Sequence, residues 1–317
     1  MRRSGQGVAC VAVAAALLAG CGSGDEDHLR PGVVASTVPE EESGHARLPT
    51  PVAPEGEPLA TIAVAELNEL SGLAASRAHP GILWAHNDSG DTPRVFAFDL
   101  NGQPRGTFRL AGARAEDWED MAVGPGPAPG KSYLYLGDIG DNFGRRPNVV
   151  VYRIEEPAPG TPGEVAIPGV EAITLRYPQG EAHNAEALMV DSPTGDLYIV
   201  TKSLLGRAKV FRAPGPLEAS AIDLEAVAEL HLLGPATAGD ISVEGDEIAI
   251  RTYKDAYLWE RPPGVSVAEA LGGEPRRIPL VFEPQGEAIA YSADGRALLT
   301  ASEGTNTTLY RYGFWDE

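Results

Sequence analysis

Five short apolar runs in this chain begin behind a polar residue. In four of them that residue is a carboxylate, Glu119, Glu186, Asp240 or Glu287, and the remaining run begins at Ser71. Successive starts lie 48, 67, 54 and 47 residues apart. A regular spacing of this size is typical of one supersecondary unit that repeats. If the first strand of every unit lines a common axis, the four carboxylates converge and offer hard oxygen ligands to a cation.

A second apolar run follows each first run after a turn signal, so that each pair predicts an antiparallel hairpin. The second runs end in polar residues that fall beside the starts of the first runs: Asn87, Asp138, Thr201, Thr252 and Ser302. We predict that Asn87 and Asp138 join the four carboxylates as metal ligands. The predicted ion is Ca²⁺, because oxygen ligands without sulfur favour it over zinc or copper. The alternative is that these side chains cap strand ends by accepting backbone N–H bonds.

Two histidines stand next to these candidate ligands, His86 before Asn87 and His183 shortly before Glu186. A neutral imidazole beside a metal-bound water is a general base for hydrolysis, so both are candidate catalytic residues. The alternative is a hydrogen-bonded structural role. Positive charge at the same place is expected from Lys202 or Arg251. The sequence contains no serine-hydrolase elbow, P-loop, dinucleotide fingerprint or zinc-protease motif.

The elements that would position these residues repeat in the same order. A third run with alternating β-branched or aromatic residues follows each hairpin, and outer strands are predicted near 106–110, 172–177, 227–232 and 277–282. The last unit lacks its outer strand, whereas the run at 59–65 stands alone before the first unit.

We therefore predict an all-β fold, a five-bladed β-propeller whose ring is closed by the N-terminal strand in the last blade. A six-bladed propeller is the alternative if a blade lies in the long loop between Glu155 and Glu171, and a β-sandwich is the remaining one.

The first twenty residues have the features of a secretory signal. Arg2 and Arg3 precede an apolar run at 8–19 that is short for a bilayer span. The run ends in Leu-Ala-Gly before Cys21, which resembles the lipobox of bacterial lipoproteins. This resemblance implies cleavage before Cys21 and lipidation of that residue.

Three segments are expected from this pattern: a signal peptide at 1–20, a lipidated and disordered tether at 21–56, and a propeller domain at 57–317. The tether segment is rich in Gly, Ser, Pro and Glu. The formal net charge of −20 disfavours nucleic acid as a partner and favours cations. The expected partners are the membrane, through the lipid on Cys21, and an envelope protein or a small molecule. We expect an extracytoplasmic monomer.

Four motifs resemble a group of largely uncharacterised secreted bacterial propellers and, more distantly, the phytase-like and gluconolactonase-like propellers. They are Asn87–Gly90, Trp118–Ala122, Gly137–Asn142 and Ala185–Leu188. The resemblance implies Ca²⁺ in the channel on carboxylate and amide oxygens, with Glu186 as the leading Glu and Asn87 as an amide ligand. It also implies hydrolysis of ester, lactone or phosphoester bonds. Two functions follow: a binding module with Ca²⁺ in its central funnel, or a Ca²⁺-dependent hydrolase.

Overall fold

The computed structural model describes residues 55–160 and 163–313, and their strands form five separate sheets. Blade 1 contains β2 (Leu70–Ala75), β3 (Ile82–Asn87), β4 (Arg94–Asp99), β5 (Pro104–Leu110) and β9 (Glu164–Ile167). Blade 2 contains β6 (Trp118–Pro125), β7 (Ser132–Asp138), β8 (Asn148–Glu155), β10 (Glu171–Arg176) and β14 (Ala221–Asp223). Blade 3 contains β11 (Ala185–Val190), β12 (Leu197–Thr201), β13 (Arg207–Ala213) and β15 (Glu225–His231).

Blades 4 and 5 complete the set. Blade 4 contains β16 (Ala236–Ile241), β17 (Glu247–Thr252), β18 (Asp255–Glu260) and β19 (Arg276–Pro279). Blade 5 contains β20 (Gly286–Tyr291), β21 (Ala297–Ser302), β22 (Thr308–Gly313) and β1 (Glu57–Thr61). A single turn of 3₁₀-helix (Pro178–Gly180) and one short helix, α1 (Val267–Leu271), lie between described strands.

The first strands of the blades form a closed ring. Strand β2 contacts β6 and β20, β6 contacts β11, β11 contacts β16, and β16 contacts β20. Five sheets arranged around an axis in this way make a five-bladed β-propeller, and the first strands line its channel. The predicted fold is confirmed.

The ring closes through the N-terminal strand, as predicted. Strand β1 pairs antiparallel with β22 and so becomes the outer strand of blade 5. The three C-terminal strands of that blade are thereby completed from the other end of the described chain, which covers an edge that would otherwise be unpaired.

No sixth blade lies in the described part of the loop between Glu155 and Glu171. That loop instead contains β9, which adds parallel to β5 at the outer edge of blade 1. Strand β14 adds parallel to β10 in the same manner. Each of these short strands covers the edge of a preceding blade, so the long loop extends an existing sheet.

The hydrophobic core is divided among the blade interfaces. Five clusters of buried residues are present in the described ranges, and each joins two neighbouring blades. Between blades 1 and 2, for example, Trp84 and Phe108 of blade 1 belong to one buried cluster with Trp118 of blade 2. First strands are buried along nearly their whole length because both of their faces are covered, which explains their continuous apolar runs. Among the described residues, no helix has the length and apolarity needed to cross a bilayer.

Candidate functional site

A β-bulge near the start of each first strand turns one side chain out of the regular pairing. The bulges lie between Leu70 and Leu73, Trp118 and Asp120, Ala185 and Ala187, Ala236 and Ala238, and Gly286 and Ala288. The bulged residues Glu119, Glu186 and Glu287 therefore occupy equivalent positions in blades 2, 3 and 5. Bulges commonly re-aim a side chain next to a functional site.

Asp240 does not share this position. Asp240 pairs with Ala249, and its carboxylate accepts the backbone N–H groups of Ile241 and Tyr291, each at 2.8 Å. Thr237 occupies the bulge of blade 4, and its hydroxyl donates to the carbonyl oxygen of Gly286 at 3.1 Å. The predicted ring of four leading carboxylates is therefore wrong in blade 4, where a hydroxyl binds the next blade.

A second set of side chains comes from the residue that follows each second strand. The backbone N–H groups of Asp88, Lys202 and Glu303 donate to the carbonyl oxygens of Glu69, Asn184 and Gln285, just before the first strand of the same blade. Tyr253 occupies the equivalent place in blade 4. These hydrogen bonds hold the second set beside the bulged residues, so both sets lie at one mouth of the channel.

Six carboxylates gather at this mouth, and five of them form two groups of three that share Asp88. Oxygens of Asp88, Glu287 and Glu303 all lie within 4.8 Å of one another, and so do oxygens of Asp88, Asp117 and Glu119. The sixth carboxylate, Glu186, has an oxygen 2.9 Å from the ammonium of Lys202. We call this group, which consists of Asp88, Asp117, Glu119, Glu186, Glu287 and Glu303, the acidic mouth.

Lys202 makes an ion pair with one carboxylate of the acidic mouth, Glu186. The carboxylate of Glu186 also accepts a hydrogen bond from the side-chain amide of Asn184 at 3.1 Å. Tyr253 donates its hydroxyl to Glu287 at 3.0 Å, and its ring lies 5.7 Å from the Lys202 ammonium. Among the described residues, the members of the two groups of three that share Asp88 make no direct ion pair, although the charge of Lys202 acts on Asp88 and Glu119. Their oxygens lie close enough together that each group could hold a metal ion.

Burial and mutual repulsion raise the pKa of several carboxylates in the acidic mouth. Burial, with the charges of neighbouring carboxylates, raises the pKa of Asp88 to about 6. Burial and then the charge of Glu186 raise the pKa of Glu119 well above its ordinary value. The pKa of Glu303 is also raised, by burial and by its hydrogen bond to Glu287. A divalent cation would displace these protons and remove the repulsion.

Gly140 makes room for the carboxylates of blade 2. Its backbone N–H donates to the carbonyl oxygen of Asp117 at 3.1 Å. A Cβ atom at this position would collide with Oε1 of Glu119 and with the carboxyl group of Asp117. Glycine at 140 therefore leaves the space that two of the carboxylates occupy.

Asn87 and Asp138 cap strand ends, the alternative considered for them. The side-chain oxygen of Asn87 accepts the N–H of Glu69 at 3.0 Å. The carboxylate of Asp138 accepts the N–H groups of Glu116 and Asp117, each at 3.2 Å, and pairs with Arg146 at 2.8 Å. These bonds hold the segments that lead into β2 and β6. Both residues therefore position the acidic mouth through their hydrogen bonds with the backbone.

The two candidate catalytic histidines point into blade interfaces. His86 is fully buried, its ring lies 5.3 Å from that of Trp118, and burial lowers its pKa. His183 contacts Phe211 of the third strand β13 at 5.1 Å between ring centres, and its Nε2 lies 2.7 Å from Glu181. Neither contact places an imidazole among the carboxylates of the mouth, so both support the structural alternative.

The metal ligands predicted from the sequence did not include Asp88, Asp117 or Glu303. Glu303 follows Ser302 as Asp88 follows Asn87, so the position after each second strand carried a usable signal. Asp117 precedes Trp118 in a loop. That loop is held at the mouth by two hydrogen bonds, from the N–H of Gly140 to the carbonyl oxygen of Asp117 and from the N–H of Asp117 to the carboxylate of Asp138.

The fold and the site define a class of protein, a five-bladed β-propeller with a carboxylate-rich channel mouth. No protein-family model matches the chain, and no curated protein matches it. Among solved structures, the chain is similar to the WD40 repeats of RRP9, with a TM-score of 0.42 and 10% sequence identity over 83% of this chain and 99% of that chain. The blade count and the closure of the ring rest on the sheets of the chain itself.

Proposed function

We propose that this protein is a lipid-anchored, extracytoplasmic binding module that holds Ca²⁺ in the acidic mouth of its propeller. The observation that carries the calcium proposal is the pair of carboxylate groups around Asp88, each with three ligand oxygens within 4.8 Å. Ca²⁺ prefers such oxygen ligands and accepts irregular geometry. Asp88, Asp117, Glu119, Glu287 and Glu303 are the residues that would hold it, and Glu186 is engaged by Lys202.

Exposed apolar side chains surround the same face and support a binding role. They lie in loops that connect second to third strands or one blade to the next: Phe143, Leu204, Leu205, Leu233 and Phe282. Each is at least 68% exposed. Large apolar side chains exposed in loops offer apolar contact area to a partner. A partner that binds here would contact both the mouth and these side chains.

The hydrolase alternative receives less support from the site. The mouth offers carboxylates and Lys202, whereas His86 and His183 lie in blade interfaces. Fold alone does not confer activity, and propellers host many functions. Binding is therefore the function that the arrangement supports best.

Calcium should stabilise the protein, and Asp88→Asn should remove most of that effect. With free Ca²⁺ at about a hundredfold over Kd, binding to the native state contributes about 2.7 kcal/mol, or roughly 5–10 °C in Tm for a domain of this size. Asp88 belongs to both groups of three, so its loss weakens either site. Calorimetric Tm of the metal-stripped protein, with and without Ca²⁺, measures both results.

The same variant has a second signature. Without metal, Asp88→Asn should raise Tm, because one of the mutually repelling carboxylates is gone. The control is Glu244→Gln, an exposed residue in the turn between β16 and β17 at the other end of the channel. An unchanged Tm in Ca²⁺ for the native sequence would refute the calcium site.

Lipid anchoring is tested separately at Cys21, which lies outside the described residues. Cys21→Ala removes the thiol that the lipobox resemblance implies is acylated, and stable anchoring depends on several acyl chains. The variant should move from the detergent phase to the aqueous phase when cell extracts are partitioned. Equal partitioning of the two proteins would refute the anchor and leave the calcium proposal standing.

A further inference from the structure

A separate cavity lies at the other end of the propeller, among the turns that connect first to second strands. Its volume is about 610 Å³, and its lining includes Arg77 after β2, Lys131 before β7 and Ser192 after β11. The acidic mouth lies where first strands begin, so the two places are at opposite ends of the channel. This cavity has no part in the proposed calcium site.

Arg77 is the cation in this cavity that lacks a direct counter-charge. It is half-buried, its guanidinium donates to the hydroxyl of Ser192, and burial lowers its pKa. Within residues 55–160 and 163–313, every other Lys or Arg that is not exposed makes an ion pair with a carboxylate. Arg77 makes none with the carboxylates of those ranges. A partly desolvated guanidinium without an ion pair favours an anion from outside.

The acids that line the cavity are committed to other groups. Glu156 accepts the indole N–H of Trp84 at 2.7 Å and the backbone N–H of Ala78 at 3.1 Å. Glu155 pairs with Lys131 at 2.7 Å. The charges of Glu156 and of the buried Asp240 act on Arg77, but neither carboxylate makes an ion pair with its guanidinium.

A groove lined by apolar and polar side chains, among them Glu218 and an Arg153 that pairs with Glu171, continues from the cavity toward blade 3. The neighbouring cavity of about 270 Å³ shares Pro125 and Ser192 with it, and its lining adds Tyr135, Pro216 and Leu217. The hydroxyl of Tyr135 donates to the carbonyl oxygen of Pro125, which leaves its ring as part of the wall. A ligand whose charged end meets Arg77 can therefore lay an apolar body along these residues.

We propose that this cavity binds an organic anion with an apolar body, whose oxyanion is held by the guanidinium of Arg77 and the hydroxyl of Ser192. Ser192 accepts from Arg77 and keeps its own O–H free to donate to the ligand. A carboxylate and a phosphate monoester share this chemistry. The groove of prolines, Tyr135 and Leu217 selects against small inorganic ions that lack an apolar part.

Isothermal titration calorimetry on the full-length protein in detergent, with chelator present, tests the site with three probes. Phenylbutyrate and phenyl phosphate carry the two oxyanions, and phenylbutyramide is the neutral control. Both anions should bind at least about tenfold more tightly than the amide, as a charge-assisted hydrogen bond requires. The tighter anion identifies the head group for which the site is built.

Arg77→Gln should abolish the preference for the anions and leave amide binding unchanged, since glutamine keeps a donor for Ser192. Ser192→Ala should weaken the anions as well and serves if Arg77→Gln fails to fold. The matched control is Arg296→Gln, an exposed arginine in the turn between β20 and β21 on the same face. Equal affinity for anions and amide, or unchanged anion affinity in both cavity variants, would overturn the proposal. The chelator keeps these outcomes independent of the calcium site.

Discussion

Replacing Asp120 with alanine is expected to lower the free energy of unfolding by about 3 kcal/mol, because buried backbone donors lose their acceptor. Asp120 is fully buried beside the bulged Glu119. Its Oδ2 accepts the N–H of Leu188 in blade 3 at 2.9 Å and that of Gly239 in blade 4 at 3.1 Å. Its Oδ1 accepts the N–H of Met121 at 2.8 Å. One carboxylate therefore joins the first strands of three blades across the channel.

Asparagine at position 120 should be less damaging than alanine. Its single oxygen can still accept the N–H groups of Leu188 and Gly239, whereas its NH2 group faces the N–H of Met121, which loses its acceptor. Urea unfolding of both variants gives the order, with the exposed Glu244→Gln as a control that should stay within about 0.5 kcal/mol of the native protein. Alanine and asparagine variants as stable as the native protein would show that Asp120 does not hold the blades together.

Repetition made the fold predictable from the sequence. Five starts of first strands, the hairpins behind them and the lone run before blade 1 all have counterparts in the sheets, including the closure through β1. Strands β9 and β14 were not predictable in the same way. They contain four and three residues and pair parallel with strands that are distant in sequence, so they carry no alternating pattern of their own.

The site was less predictable, because the pairing register of each first strand decides which of its side chains points into the mouth. In blade 4 the acidic residue before the apolar run is Asp240. The bulge, however, lies three residues earlier, at Thr237. A bulge changes pairing by one residue and leaves no mark in composition. Asp88 and Glu303 come together only because two hairpins at opposite ends of the described sequence become neighbours when the ring closes.

For the cations Lys202 and Arg251, too, position in the sequence did not decide which side chain reaches the mouth. Both lie at or just after the end of a second strand, and positive charge at the mouth was expected from either. Lys202 reaches Glu186. Arg251 instead turns into the interface between blades 4 and 5, where it is fully buried and pairs with Glu283 at 2.7 Å. Arg251 therefore belongs to the framework and contributes nothing to the charge of the mouth.

Arg251 is held by blade 5 through more than its ion pair. Its guanidinium donates to the carbonyl oxygens of Ala288 at 2.7 Å and Ala301 at 3.3 Å. The carboxylate of Glu283 also accepts the hydroxyl of Thr300 at 3.1 Å. At Gly286 a Cβ atom would collide with the guanidinium, so the glycine that begins β20 admits this side chain. A charged pair is thus built into the interface next to the closing blade.

Arg251→Met should destabilise the protein by about 3–5 kcal/mol, because Glu283 is left buried and without its counter-charge. The double variant Arg251→Met/Glu283→Leu should recover most of that loss, since no charge then remains buried. Arg276→Met, at a pair with Glu247 whose arginine side chain is 44% exposed, is the control and should cost less than about 1 kcal/mol. Chemical unfolding of the native protein and these three variants measures the loss and its recovery. If the double variant is as unstable as the single one, the loss comes from packing and from the bonds to Ala288 and Ala301, and the buried charge is not its cause.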